Sequence, residues 1–446
     1  MAKKSRWGRI AKLTELSAKV SSSYLGQRVA SVFQKDEDRE STLQETHLRN
    51  AERIVDTMGV LKGAAMKVGQ SLAVMADSMD IPDEVAGILS KLNDQAEPIP
   101  FSEIEQVLKQ ELGNLEDIFT HVDPEPLGTA SLAQAHAALL KDGSPVVIKV
   151  LHDGVEMSVD TDLMALKSIL FASRVLKRSK EEVDLIFDEI RARLMEELDY
   201  EHEKQNLERF AEFFADIPDV RSPKPVPSLC TKRVLTMERL VGMRLEDFVQ
   251  QGNTDACQKA ADVLTKAFHE MVYVFRGLHA DPHGGNFLFS SDGSISLIDF
   301  GCVKYFDLDF LVDYGLLGNH IIDHEREKSV EMAKKMKLIV EDSQELEDDF
   351  WSFVQIIAKP FRFGTYQVSG DQLMAEIRES SNDILKHTGI RASRDIIFLH
   401  RSLTGTYSML RKLGHKCNYE EIRRRYVQYA IDVQKGIEED RGWNVR

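Results

Sequence analysis

The stretch Leu278-His279-Ala280-Asp281-Pro282-His283-Gly284-Gly285-Asn286, followed thirteen residues later by Asp299-Phe300-Gly301, constrains the fold of this chain more than any other. Between Asn286 and Asp299 lie Phe287-Leu288-Phe289, the turn signal Ser290 to Gly293, and the apolar run Ile295 to Ile298. Two short apolar runs around an Asp-Gly pair predict a β-hairpin, and a hairpin returns its two ends, here Asn286 and Asp299, to one edge. A lone Asp beside Gly or Pro is usually a turn residue or an N-cap. The joint spacing asks for more. Asp281, Asn286 five residues on, and Asp299 beyond a hairpin suit phosphoryl transfer, in which one Asp takes the proton of an attacking hydroxyl. An Asn and a second Asp then hold the metal ions that bridge a nucleotide's phosphates.

Zinc hydrolysis is the competing reading, because His279 and His283 stand four apart and would share a helix face. Pro282, Gly284 and Gly285 argue against a helix there. His320 and His324 have the better helical spacing but no evident third ligand.

His-Ala-Asp-Pro-His-x-Gly-Asn with Ile-Asp-Phe-Gly resembles the UbiB/AarF family of atypical protein-kinase-like proteins, which is linked to ubiquinone and related quinone-lipid biosynthesis. The resemblance implies an α+β, bilobal protein-kinase-like fold with an N-terminal helical extension and extra C-terminal helices. It also implies ATP and Mg²⁺ as ligands, with Asp281 as catalytic base and Asn286 and Asp299 on the metal. Further motifs should then occur in order, and they do. The family's Ala-rich nucleotide loop matches Pro126 to His136, with Ala130 and Ser131 at its centre. Small residues let backbone N–H groups approach phosphates. Next, Val146-Val147-Ile148-Lys149-Val150 is a β-branched run with one interior Lys, after the turn signal Lys141 to Ser144. In kinases such a Lys holds the α and β phosphates and pairs with a helix Glu; elsewhere it would be an edge-strand Lys that deters aggregation.

The partner of Lys149 follows from periodicity. Val183, Phe187, Ile190 and Leu194 recur at helical spacing and the next step on that stripe is Glu197, so Glu197 is expected to orient Lys149. The family's Glu-x-Asp motif matches Glu197-Leu198-Asp199, and two positions about 200° apart on a helix send Asp199 elsewhere. Glu197 could instead join Glu196 and Glu201 on a solvated face.

Upstream, Leu61 to Gln70 carries the Lys-x-Gly-Gln signature within a helical stripe of Ile54, Met58, Leu61, Ala65, Val68, Leu72 and Met75. Gly63 and Gly69 inside a helix cost roughly 1 kcal/mol each relative to Ala, which suits close approach of another backbone. By resemblance this helix is a regulatory lid over the nucleotide, with Lys67 and Gln70 reaching into the site and protein substrates excluded. Unaided by the family, Lys67 would read as a snorkelling surface residue. The hinge is expected at Val234 to Gly242, where Met237 and Leu240 would border the adenine. Two departures stand out. Gly284 occupies a position where the family has Pro, and the loop begins Gly128-Thr129 rather than with two Ala residues.

The expected division is a basic amphipathic segment over 1–49, a helical extension over 50–120, a kinase-like N-lobe with a helical insertion over 121–240, and a helical C-lobe over 241–446. Cys230, Cys257, Cys302 and Cys417 are scattered, so neither a disulfide framework nor a zinc cluster is implied, and a reducing cytoplasm is the expected home. No run approaches the ~18 apolar residues needed to span a bilayer. The chain carries a net charge of −16, yet its first 35 residues are basic, with Leu13, Leu16, Val20, Tyr24, Leu25, Val29, Val32 and Phe33 interleaved. That pattern suits either an anionic lipid surface or a docking arm, and the acidic remainder disfavours nucleic acid. Expected partners are therefore ATP, an anionic membrane lipid or quinone-precursor lipid, and proteins of lipid biosynthesis. The alternative function is a non-catalytic, nucleotide-regulated scaffold for a membrane-associated lipid-biosynthesis complex.

Overall fold

Two units divide the chain: Met1–Lys204 with Pro225–Arg239, and Gln205–Lys224 with Leu240–Arg446. The computed structural model describes all residues except 1, 32–35, 62–64, 70–86, 89–97, 174–179, 363, 369–371, 385, 392 and 443–446.

In the first unit, helices α1 (Ala2–Ser31) and α2 (Asp36–Leu61) pack on one another. Leu13, Leu16, Val20 and Tyr24 recur three or four residues apart and are all buried, as are Ala51, Ile54, Val55 and Met58 of α2. The Tyr24 hydroxyl meets Nδ1 of His47 at 2.7 Å across the pair. This corrects the lipid-surface expectation for those residues. An amphipathic stripe needs an apolar partner of any kind, and here α2 and the later helix Val155–Ser173 supply it within the protein. Helix α2 also runs unbroken through residue 49, where composition suggested a boundary. Among the described residues, no helix is long and apolar enough to cross a membrane.

Helix α3 (Phe101–Leu112) then leads to a four-stranded antiparallel sheet of β1 (Phe119–Thr129), β2 (Ala133–Leu140), β3 (Pro145–Leu151) and β4 (Val234–Glu238), in that spatial order. Alternation decides which face each β3 residue takes. Val146, Ile148 and Val150 join Ile104, Val107 and Leu108 of α3 in a buried cluster, leaving Val147 and Lys149 on the opposite face. The β2–β3 turn is the expected one, with Gly143 at φ 86° and the Ser144 N–H donating to Asp142 Oδ1 at 2.8 Å. Beyond β3 lie α4 (Val155–Ser173) and α5 (Lys180–Glu197), whose stripe Val183, Phe187, Ile190 and Leu194 is buried as its spacing predicts. Helix α6 (Tyr200–Phe214) starts within this unit and ends within the second.

The second unit is mainly helical. Helices α7 (Leu245–Gln250) and α8 (Thr254–His269) come first, and α8 is capped by Asn253, whose side chain accepts from the Ala256 N–H at 3.1 Å. A π-helical turn over Glu270–Val274 follows. Short strands β5 (Gly277–His279), β6 (Phe287–Phe289), β7 (Ile295–Leu297) and β8 (Val303–Tyr305) come next. Then follow α9 (Leu308–Ile322), α10 (Arg326–Lys335), α11 (Gln344–Ile357), α12 (Leu373–Ile384), α13 (Arg394–Leu413) and α14 (Tyr419–Gln434). Leu317, Ile321, Val330, Leu346 and Phe350 join α9, α10 and α11 in one apolar core.

Close approach of α9 to α14 depends on glycine. A Cβ on Gly315 would lie 2.7 Å from Val427 Cγ1, and one on Gly318 would lie 2.8 Å from Arg423 Nη1. Because Val427 is fully buried it has little room to yield. Gly315→Ala should therefore destabilise the chain by about 1–3 kcal/mol through overpacking. A urea-unfolding midpoint equal to that of the parent would show that the helices separate at no cost.

Candidate active site

In the second unit, β6 and β7 form the hairpin foreseen from the Asp-Gly pair, with Phe287 opposite Leu297 and Phe289 opposite Ile295. Its closing bond runs from the Ile298 N–H to the Asn286 carbonyl at 3.0 Å, so Asn286 lies across from the residue preceding Asp299. A second ladder does the same for Asp281. Strands β5 and β8 pair Gly277 with Tyr305 and His279 with Val303, and the Ala280 N–H donates to the Cys302 carbonyl at 2.9 Å. The two ladders bring the loop of Asp281 and the Asp-Phe-Gly segment together.

Buried His279 ties these pieces, because its Nε2 donates to the Asp299 carbonyl at 2.8 Å while its ring packs edge-on against Phe287 and Phe300. Phe300 is fully buried against Phe210, and its carbonyl accepts from Asn206 Nδ2 at 3.0 Å. His279 is thus structural, whereas His283 is exposed and its Nδ1 accepts from the Gly285 N–H at 3.1 Å. The two His side chains are thus engaged with different backbone groups, and among the described residues no three His, Cys, Asp or Glu side chains cluster as a metal site.

The amide of Asn286 is oriented by its loop. Nδ2 donates to the Asp281 carbonyl at 2.9 Å and to Asp281 Oδ2 at 3.2 Å, which turns Oδ1 toward the role of acceptor or ligand. Asp299 Oδ1 accepts from the Gly301 N–H at 3.0 Å, fixing the carboxylate at the start of its turn. One carboxylate and one amide oxygen form too small a set to cage a cation alone. Asn286 Oδ1 and the Asp299 carboxylate are the oxygens that would hold a Mg²⁺ ion, a cation that needs only one or two protein ligands.

Helix α13 meets the same loop. Arg401 Nη2 donates to Asp281 Oδ1 at 2.8 Å, and Ser402 Oγ donates to the His279 carbonyl at 3.3 Å. A Cβ on Gly405 would come within 2.9 Å of the Pro282 carbonyl, so the helix backbone sits directly against the loop. Ion pairs from Asp395 to Lys304 and from Lys412 to Glu246, each 2.6 Å, hold the helix at both ends. The Lys412 hydrogen bond keeps the Glu246 carboxyl below the usual carboxylate range. Arg244 adds a further cation to the loop by donating to the Gly285 carbonyl. Gly284, the departure from the family pattern, lies in van der Waals reach of Leu245, where a Cβ would be 3.7 Å from Cδ2. A side chain is therefore tolerable there.

In the first unit, Lys149 stands between Ala135 of β2 and Leu235 of β4. Its amine meets Glu203 Oε1 at 2.5 Å, with the side chains only 14% and 7% exposed. The expected partner, Glu197, instead pairs with Lys67 at 2.8 Å and is more exposed. The correction has a plain cause. Helix α5 ends at Glu197 and α6 begins at Tyr200, so the stripe passes through Leu198 and resumes in a new register that carries Glu203 inward. Asp199 spends Oδ1 on the Glu201 N–H at 3.0 Å and lies 3.7 Å from Lys232. Lys67 sits in the helical residues 65–69 between buried Met66 and Val68, and Gln70 lies outside the described residues.

The Ala-rich segment is the tip of the β1–β2 hairpin, closed by the Ala130 N–H on the Ala133 carbonyl at 2.8 Å, with Ala130 exposed and Ser131 buried. Gln134 and His136 of the same motif have structural work. Gln134 Oε1 accepts from the Ile99 N–H and His136 Nδ1 donates to the Asp123 carbonyl at 2.9 Å. Met237 is buried on β4, opposite Val147, while Leu240 is half-buried at the start of the second unit's longer segment.

A family model described as the ABC1 atypical kinase-like domain matches residues 91–333, more than half of the chain. The chain belongs to this atypical kinase-like family. The UbiB/AarF resemblance and the kinase-like α+β fold expected from the motifs are thereby shown. It is 27% identical over 402 residues to the mitochondrial atypical kinase coq-8 of Caenorhabditis elegans, covering 86% of this chain and 52% of that protein. It is 32% identical over 300 residues to AarF domain-containing protein kinase 1 of Xenopus laevis, covering 66% and 57%. To the mitochondrial atypical kinase COQ8 of Saccharomyces cerevisiae it is 26% identical, covering 86% and 77%. The chain thus spans little more than half the length of the worm and frog relatives. Among solved structures, the Mycobacterium tuberculosis protein Rv3197, in complex with erythromycin, aligns with a TM-score of 0.61 at 23% identity, covering 87% of this chain and 97% of that one. At that identity the likeness concerns the fold. Helix α13 lies beyond the residues that match the family domain.

Proposed function

We propose that this family member binds ATP with Mg²⁺ and either hydrolyses it or transfers its γ-phosphate to a hydroxyl acceptor. One juxtaposition carries the reading: two β-ladders hold Asp281, Asn286 and Asp299 together, with the Asn286 amide on Asp281 and His279 on the Asp299 backbone. In this reading Asn286 Oδ1 and the Asp299 carboxylate hold Mg²⁺, which supplies charge neutralisation on the phosphates. Lys149, buried and backed by Glu203, meets the phosphates, and the Ala130–Ser131 tip covers them. Met237 and Leu240 border the base. Asp281 accepts the proton of the attacking hydroxyl as the acceptor oxygen bonds to the γ-phosphorus. The bond from that phosphorus to the bridging oxygen breaks, and its electron pair leaves with ADP. The biological setting that the resemblance implies, quinone or isoprenoid-lipid metabolism in a cytoplasmic or peripheral membrane context, belongs to the same proposal.

Calorimetry tests the binding half. ATP should bind the parent in the presence of Mg²⁺, and Asp299→Asn should remove the Mg²⁺-dependent part of the affinity while leaving the fold intact by circular dichroism. Equal Mg²⁺ dependence in both proteins would contradict the metal assignment.

The Lys67–Glu197 pair favours a second reading in which the nucleotide acts as a switch and the protein as a scaffold. Ion pairs about a third exposed, as this one is, contribute ~0–1 kcal/mol to stability, so Lys67→Ala should melt like the parent. If Lys67 restrains the site, the same variant should raise autophosphorylation several-fold or shift nucleotide affinity. Values of both indistinguishable from the parent's would remove the lid from the account.

A further inference from the structure

Phosphoryl transfer of this kind asks for more positive charge than the catalytic loop itself contains. Between Asp281 and Asn286 lie only Pro282, His283, Gly284 and Gly285, and the His283 ring is turned back onto the Gly285 N–H. Arg244 reaches the loop only at the Gly285 carbonyl, and the cation that meets the Asp281 carboxylate comes from 120 residues away. Arg401 of α13 donates to Asp281 Oδ1 at 2.8 Å, while Asn286 reaches Oδ2 at 3.2 Å, so the carboxylate is gripped from both sides.

Helix α13 is built for this contact. Arg401, Ser402 and Gly405 occupy one helical face, and that face meets Asp281, the His279 carbonyl and Pro282 respectively. With Gly405 in place, the helix backbone comes close enough for Arg401 to reach the carboxylate. The pairs of Asp395 with Lys304 and of Lys412 with Glu246 fix where along the loop Arg401 falls. The pair itself is nearly half-exposed, at 45% and 44%, so its worth to stability alone is small. A half-exposed pair held by so much surrounding structure makes better sense as geometry for chemistry.

We infer that Arg401 is a positioning residue for phosphoryl transfer, fixing the Asp281 carboxylate through Oδ1 so that Oδ2 faces the hydroxyl whose proton it takes. An ionised carboxylate offers about four lone-pair sites. Arg401 and Asn286 therefore leave capacity for the incoming proton. The inference rests on the proposed function, and it assigns to the C-terminal helices a part in the reaction.

The test uses the full chain and ATP turnover with Mg²⁺, comparing the parent with Arg401→Ala, Arg401→Lys and Asp299→Asn. Arg401→Ala should lower kcat roughly 100-fold, the usual cost of removing one preorganised electrostatic contact, with KM for ATP within about twofold of the parent. Arg401→Lys should recover part of kcat, and millimolar methylguanidinium should raise the turnover of Arg401→Ala but not of the parent. A merely structural role would not answer to the added cation. Should Arg401→Ala fail to fold, Arg401→Gln carries the same comparison. A kcat within twofold of the parent in the neutral variant, or one above it, would overturn the inference while leaving the proposed function standing. Parent turnover no greater than that of Asp299→Asn would overturn the functional reading and this inference with it.

Discussion

Glu203→Ala should cost several times more stability than Glu197→Ala, which should cost less than ~1 kcal/mol, although both carboxylates pair with lysines. The difference is burial. Lys149 and Glu203 are almost wholly removed from water, so deleting Glu203 takes from a buried ammonium the carboxylate that it meets at 2.5 Å. Lys67 and Glu197 remain near a third exposed, and water takes over when either partner is lost. Urea midpoints with unchanged m-values would read the two costs directly. Replacing both Lys149 and Glu203 with apolar residues of similar volume should restore much of the loss, because the desolvation penalty then disappears for both charges. Equal costs for the two Glu variants would mean that Lys149 finds its counter-charge elsewhere. The ATP reading adds a functional consequence: Glu203→Gln should weaken turnover through Lys149, while Glu197→Gln should act only through Lys67.

Particular residues show how far the sequence could be read. The hairpin that joins Asn286 to Asp299 was legible because its information is local: an Asp-Gly turn between short apolar runs fixes register within a dozen residues. The stripe Val183 to Leu194 was equally legible, since helical periodicity reports burial wherever the helix is unbroken. What failed was extrapolation across a break. The carboxylate argument applied to Glu197 would have selected Glu203 had the helix been restarted at Tyr200, because Tyr200, Leu207, Phe210 and Phe214 form a buried stripe with Glu203 in its line. The N-terminal stripe was read correctly as amphipathic, but periodicity does not say whether its partner is a lipid or another helix. Arg401 left no comparable trace. Its meeting with Asp281 depends on how α13 is placed against a loop 120 residues earlier, and a lone Gly405 in a helix is too common a signal to reveal it.

The second large effect concerns Asp281 itself. Asp281→Asn preserves shape and the backbone bond from Asn286 Nδ2 to the Asp281 carbonyl, but it removes the acceptor for the hydroxyl proton. Loss of a general base typically costs about 10²–10⁴ in rate. Transfer to a hydroxyl acceptor should fall by that factor while Mg²⁺-ATP affinity changes little, since the metal is assigned to Asn286 and Asp299. Asp299→Asn should reduce both. The two variants thereby separate proton transfer from metal binding within one loop and hairpin.

Release of labelled phosphate or labelled product from γ-labelled ATP, measured on purified full-length protein with Mg²⁺ in the presence of a membrane lipid extract, tests the central claim most directly. Turnover by the parent, abolished in Asp299→Asn and strongly reduced in Asp281→Asn, is the predicted result. Mg²⁺-ATP binding with turnover no higher in the parent than in Asp299→Asn would contradict the account and leave the nucleotide-regulated scaffold.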